Sequence, residues 1–240
     1  MDYISNHKQT IIHNTISTMN SLKQIYIDIN ALKNRSFYKE ITKYYSAIAI
    51  IINTLKANEY SEPRRTLLDN ILLNFCSLIH CIVLRDIKLI NFIFRNIIES
   101  IIRYLTNELT SRDLDLLFKS LTTFPSDGFT GPNLIQKYGG QLKDIYTRNC
   151  LYVHTDTSKI PTNLVNLSDY KNYDSDNEIS VLLNDFKILN LAIISLYKIF
   201  YKNLYSDTPI NQKSYIDELT PLDYRVEYQS FLHDSIQPRL

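Results

Sequence analysis

Two side chains suited to phosphate chemistry lie close together in the sequence. Arg148 is followed by the polar Asn149, and His154 comes six positions after the arginine. A histidine titrates near neutral pH and can exchange protons, while an arginine offers a permanent charge and a planar fork for phosphate oxygens. Together they could cleave RNA without a metal, because the imidazole would serve the 2′-hydroxyl or the leaving oxygen and the guanidinium would stabilise the charged transition state.

The spacing of this pair sets a geometric condition. Six residues along a regular helix rotate by about 240°, so Arg148 and His154 would lie on different faces. They converge only if the helix ends or kinks between them, or if two chains share one site across a two-fold axis. A simpler interpretation is also open, in which Arg148 pairs with Asp144 on the surface and His154 interacts with the dipole at a helix end.

The segment from Arg148 to His154 resembles the motif of the HEPN superfamily of helical ribonucleases, an Arg and a His separated by a short spacer, often with a polar residue after the Arg. The resemblance implies a metal-independent endoribonuclease that leaves a 2′,3′-cyclic phosphate and acts as a homodimer with a composite cleft. It implies that Arg148 holds the scissile phosphate and that His154 does acid–base work, assisted by Asn149. It further implies a role as a toxin or antiviral defence effector, with an antitoxin or regulatory protein as a partner.

An upstream segment carries a second part of the resemblance. Arg95 and Glu99, within residues 94–100, are similar to the Arg/Glu-bearing helix that packs against the motif helix in several such families. The resemblance therefore implies that they support the Arg148 site. An ordinary ion pair one helical turn apart is the alternative interpretation.

Tyrosines near the motif are candidates for binding RNA. Tyr146 and Tyr152 could stack on single-stranded bases, although tyrosine is also a common half-buried helix residue. Some HEPN toxins carry a modifiable tyrosine two residues after the histidine; here that position is Asp156, so the same control is not expected.

Composition excludes several classes of protein. The formal net charge of +1 lacks the basic surplus typical of duplex binders, and the three cysteines show no spacing typical of disulfide frameworks or zinc sites. We expect no metal and no cofactor. The N-terminus lacks the pattern of a signal peptide, and no apolar run is long enough to span a bilayer, so we expect a cytoplasmic protein without a membrane partner.

Apolar residues recur at helical spacing almost throughout, and glycine is scarce, so the sequence predicts an all-α fold. We expect one domain over 1–240, with a HEPN-like helical bundle at 37–205, an additional N-terminal helix and a C-terminal appendage at 206–240. Predicted helices cover 6–33, 36–60, two stretches of 64–109 separated near 85–86, 110–121, 141–151, 178–205 and a short segment after 209.

A non-catalytic helical module for dimerisation or protein binding is the competing interpretation. The near-zero net charge and the lack of an obvious basic RNA track favour it.

Overall fold

The computed structural model describes positions 35–84, 86–110, 113–123, 132–153 and 176–220, together with positions 16, 20, 222 and 225. The helix predicted for 6–33 lies outside these ranges, apart from Ile16 and Asn20, which are helical. Positions 154–175, between the helices predicted for 141–151 and 178–205, also lie outside them.

The described chain is all-α, as predicted, and contains no strand. Its helices are α1 (Arg35–Ala57), α2 (Glu62–Leu84), α3 (Ile87–Thr106), α4 (Leu114–Thr123), α5 (Pro132–Val153), α6 (Asp176–Phe200), α7 (Lys202–Asp207) and α8 (Ile210–Leu219).

The isoleucine-rich segment 47–52 is helical, although its β-branched residues would also suit a buried strand. Ala47, Ile48, Ile51 and Ile52 are all buried. These residues form two neighbouring pairs one helical turn apart, which is the spacing that one face of a helix buries. The helical period of the flanking residues therefore decides the conformation of this segment.

The long apolar stretch divides near 85–86, as predicted. Pro63 lies in the first turn of α2, where a missing N–H removes no helical hydrogen bond. Asp86 caps α3 by accepting a hydrogen bond from the Leu89 N–H at 3.0 Å. At the other end of α3, Asn107 adopts a left-handed conformation with φ 57° and donates to the Arg103 carbonyl. Both ends of α3 are therefore fixed by local caps.

Helix α3 is the centre of the bundle. It packs against α2, α4, α5 and α6, and two rows of its isoleucines are buried on these contacts. Helix α6 in turn packs against α5 and α1, so α5 lies in contact with both α3 and α6. This arrangement places α5, the motif helix that carries Arg148, between two core helices.

Two predicted helix starts were wrong. Helix α4 begins at Leu114 and not at 110, and it is capped by Asp113, whose carboxylate accepts from the Leu116 N–H at 3.1 Å. Helix α5 begins at Pro132 and not near Gln141, so Gly139 and Gly140 are helical. The burial of Leu134, Ile135 and Tyr138 on the same face as Leu142 explains the second difference, because packing outweighs the low helix propensity of two glycines.

The C-terminal helices pack on α1 and α6. Lys198 of α6 donates to Asp217 of α8 at 2.7 Å, and the Tyr215 hydroxyl donates to the Lys43 carbonyl of α1 at 2.8 Å. The helix predicted over 178–205 is interrupted at Tyr201, so α6 ends at Phe200 and α7 follows.

Candidate active site around Arg148

Arg148 is bound to a buried carboxylate on the neighbouring helix. Its Nη2 donates to Asp185 Oδ1 at 2.6 Å, which joins α5 to α6. The two side chains differ sharply in exposure, 48% for Arg148 and 4% for Asp185. The guanidinium is therefore anchored on its protein side and open to solvent on the other, and the pairing with Asp144 that the sequence left open is replaced by one with Asp185.

Asp185 was missed at the sequence level, although a signal was present. Leu182, Phe186 and Leu189 form the apolar face of α6, and Asp185 lies among them at helical spacing. A carboxylate on an apolar face needs a partner from another element. Burial raises the pKa of Asp185 above its ordinary value, and the nearby Arg148 guanidinium offsets only part of that shift.

Asn149 faces the interior directly beside Arg148. It is 1% exposed, and its Nδ2 has no hydrogen-bond partner among the described residues. It continues the buried face of α5 formed by Leu142 and Ile145. Asn149 therefore fixes the rotation of α5 at this point and places its neighbour Arg148 at the protein surface.

Arg95 of α3 contacts Tyr146 of α5. Arg95 Nε donates to the Tyr146 hydroxyl at 3.0 Å, and the guanidinium lies 5.5 Å from the centre of the same ring. Burial and a hydrogen bond with Cys150 raise the pKa of Tyr146 to about 12, while Arg95 acts in the opposite direction. The phenol is therefore neutral at physiological pH. Its ring also contacts Phe118 of α4.

Glu99 is engaged one turn further along α3. It accepts two hydrogen bonds from Arg103, at 2.9 and 3.2 Å. The described ion pair of Glu99 is thus with Arg103, and the contact that reaches the motif helix comes from Arg95.

The remaining predicted site residues fall outside the described part of the chain. His154 follows directly after the last residue of α5, and its own position is not described. The backbone of Tyr152 belongs to α5, but its side chain is not described either. The assignments of His154 and Tyr152 stay predictions.

Two further features of the described residues concern metal binding and membrane insertion. No group of three or more His, Cys, Asp or Glu side chains within them could hold a metal ion. One helical segment, Ser180–Phe200, is long and apolar enough to cross a membrane, although no such segment was expected, and most of it is buried against the other helices, as in the core helix of a globular bundle.

The fold and site define a helical-bundle protein with a half-exposed, carboxylate-anchored arginine. Comparisons with protein-family models, curated proteins and solved structures found no match to the chain. The resemblance to HEPN ribonucleases therefore depends on the motif residues.

Proposed function

We propose that the protein is a metal-independent endoribonuclease of the HEPN type. The observation that carries the proposal is the state of Arg148, a half-exposed guanidinium whose single described partner is the buried Asp185. A cation that is bound by the protein on one side and exposed to solvent on the other can bind an external anion.

The geometry of the guanidinium supports a phosphate ligand. One N–H group is directed at Asp185, and the planar guanidinium fork has further N–H groups that bond to no described residue. Phosphate oxygens match such a fork in two-point contacts, and the charge of arginine persists at any physiological pH. Arg148 would bind the scissile phosphate and stabilise the pentavalent transition state.

His154 would perform the proton transfers. It is the residue next to the end of α5, five positions beyond the buried Asn149. An imidazole there would accept the 2′-hydroxyl proton or donate to the leaving 5′-oxygen. The attacking 2′-oxygen would then close a 2′,3′-cyclic phosphate and release a 5′-hydroxyl.

Other residues would support the same cleft. Asn149 would hold the motif helix in register, and Arg95 would support it through Tyr146. Tyr146 and Tyr152 would contribute to RNA binding, and Glu99 would act through the packing of α3. We further propose a homodimer that completes the cleft with a second motif, because one chain supplies a single His154 for two proton transfers.

The biological part of the proposal follows from the resemblance. The protein would act in the cytoplasm as a toxin or antiviral effector, under the control of an antitoxin or regulatory protein. Expression of the wild-type chain should slow the growth of its host, and expression of His154→Ala should not.

RNA cleavage in EDTA tests the activity directly. Purified wild-type protein should cleave single-stranded RNA and leave 2′,3′-cyclic phosphate ends, which mass spectrometry identifies. His154→Ala should lower the rate by about 10²- to 10⁴-fold and Arg148→Ala by about 10²- to 10³-fold. Arg65→Ala is the matched control, because that side chain is 45% exposed and carries the same charge on α2.

The outcome also separates the proposal from its competitor. Equal cleavage, or equal inactivity, of the wild type and of both motif variants would exclude the nuclease. The alternative is a non-catalytic module for dimerisation or protein binding, and the Arg148–Asp185 pair supports it as well, because an arginine neutralised by a buried carboxylate can simply join two helices. In that case Arg148→Ala would change stability and self-association, with no RNA cleavage to lose.

A further inference from the structure

Burying the charged carboxylate of Asp185 is energetically unfavourable, which indicates that this residue has a specific role. Its carboxylate lies between Leu182 and Leu189 on the face that α6 turns to the core. An apolar side chain there would avoid the desolvation of a charge and would pack at least as well. Holding α5 against α6 does not need a carboxylate, since both helices already bury apolar rows.

The difference in exposure between the Arg148 and Asp185 side chains shows which of the two is fixed. Asp185 is fixed by the packing around it, whereas Arg148 is a long and flexible side chain that would otherwise sample many rotamers in solvent. The hydrogen bond at 2.6 Å therefore orders the guanidinium, and the fixed partner is the acid.

The other end of the Arg148 side chain is fixed as well. Asn149 and Ile145 are buried on either side of it in sequence, so the backbone of α5 cannot rotate freely about its axis. With its Cα placed by α5 and its guanidinium tied to α6, Arg148 presents its open edge in one orientation. Such preorganisation lowers a reaction barrier because the charge needs no rearrangement in the transition state.

We propose that Asp185 is the positioning residue of the site, and that it orients Arg148 towards the phosphate without touching the RNA. This inference rests on the proposed ribonuclease function and adds to it a residue that the motif does not contain. Because Asp185 orders the guanidinium for the transition state and adds no contact of its own to RNA, we expect its contribution in kcat and not in KM.

Asp185→Asn tests this role through the separation of kcat from KM. The substitution keeps the size of the side chain and one acceptor oxygen but removes the charge that holds the guanidinium. With a fluorogenic single-stranded RNA, kcat should fall about 10- to 100-fold. KM should stay the same or decrease, because a negative charge near the RNA has been removed.

Asp115→Asn is the matched control. Asp115 also pairs with a basic residue of α5, Lys143 at 2.8 Å, but that pair is exposed. Its kcat and KM should equal those of the wild type. A normal kcat for folded Asp185→Asn, or a change in KM alone, would overturn the positioning role.

A second variant keeps the test valid if Asp185→Asn does not fold, which circular dichroism would reveal. Asp185→Glu retains the charge and moves the carboxylate by about 1.5 Å, one C–C bond. The guanidinium would be displaced, and kcat should again fall without a rise in KM. Wild-type kcat in this variant would overturn the proposal.

The two levels of inference fail separately. If Arg148→Ala cleaves RNA as fast as the wild type, the ribonuclease proposal fails, and the positioning role fails with it. If Arg148→Ala is inactive while Asp185→Asn retains full kcat, only the positioning role fails. In the Arg148→Ala background, Asp185→Asn should cause no further loss of kcat, because the residue it positions is already gone.

Discussion

Two arginine–carboxylate pairs of this bundle have the same chemistry and opposite surroundings. Arg64 in the first turn of α2 and Glu59 in the connection from α1 both have largely buried side chains, 17% and 14% exposed. Arg64 donates to Glu59 at 2.7 Å, to Asn107 at 2.7 Å and to the Tyr201 hydroxyl at 3.1 Å, and it lies 4.3 Å from the centre of the Tyr104 ring. In the Arg148–Asp185 pair one partner is buried and the other faces solvent.

The pKa values of the two carboxylates shift in opposite directions. Burial acts to raise the pKa of Glu59, but the Ser61 N–H, the Arg64 guanidinium and the Tyr104 hydroxyl together lower it below its ordinary value. Among the described residues Asp185 is stabilised by Arg148, and burial raises its pKa. The number of donors around each acid explains the difference.

This comparison indicates how the two arginines are used. The hydrogen-bond partners of Arg64 come from several parts of the bundle. This arginine therefore stabilises the fold. Arg148 is held by one described carboxylate, that of Asp185, and its side chain is half-exposed to solvent. Identical residue types therefore serve as a structural contact in one region and as a candidate binding group in the other.

The largest effect that we expect on stability comes from Arg64→Ala. Removing the guanidinium leaves Glu59, Asn107 and the Tyr201 hydroxyl without a shared donor, and we expect a loss of about 2–4 kcal/mol in the free energy of unfolding. Urea denaturation followed by circular dichroism measures it. Arg65→Ala, at the next position and exposed, should stay within about 0.5 kcal/mol, and similar values for the two variants would contradict the structural role of Arg64.

A smaller effect concerns the dependence of stability on pH. Since the folded pKa of Glu59 lies below its ordinary value of 4.5, its contribution is present above that pH and is lost as the pH falls through the folded pKa. Asp185 has the opposite sign: its folded pKa lies above 3.8, so the folded state binds the proton more tightly and stability decreases as the pH rises from 3.8 through the folded pKa.

The sign of each contribution is measured by subtracting the variant's curve of unfolding free energy against pH from that of the wild type. Glu59→Gln should remove a rise of stability with pH, and Asp185→Asn should remove a fall. Curves of the same sign for the two variants would show that the surroundings of the two acids do not differ in the way described.

The smallest effect is expected at an exposed pair on the motif helix itself. Lys143 of α5 contacts Asp115 of α4 at 2.8 Å with both side chains open to solvent. Lys143→Ala should change the free energy of unfolding by less than about 0.5 kcal/mol, because water and salt screen such pairs. A loss above about 1 kcal/mol in the same urea assay would show that exposure alone does not rank the ion pairs of this bundle.

Much of the helical framework could be predicted from local patterns. Pro63 and Asp86 mark the starts of α2 and α3 because their effects on the backbone are confined to a single turn. The predicted start of α5 near Gln141, just after Gly139 and Gly140, was wrong because the apolar positions of α5 on either side of these glycines are buried by neighbouring helices. Propensity is a local quantity, and tertiary packing overrode it there.

The amino-acid order alone determined that the chain forms amphipathic helices and that Arg148, Asn149 and His154 lie close together in the sequence. It left the partner of Arg148 undecided between solvent, phosphate and a nearby acid, with Asp144 the obvious candidate one turn away. Only the packing of α5 against α6 selected Asp185, 37 positions further along the chain. The physical reason is that hydrophobic periodicity fixes which face of each helix is buried, while the meeting of two polar side chains depends on how the buried faces of separate helices fit together.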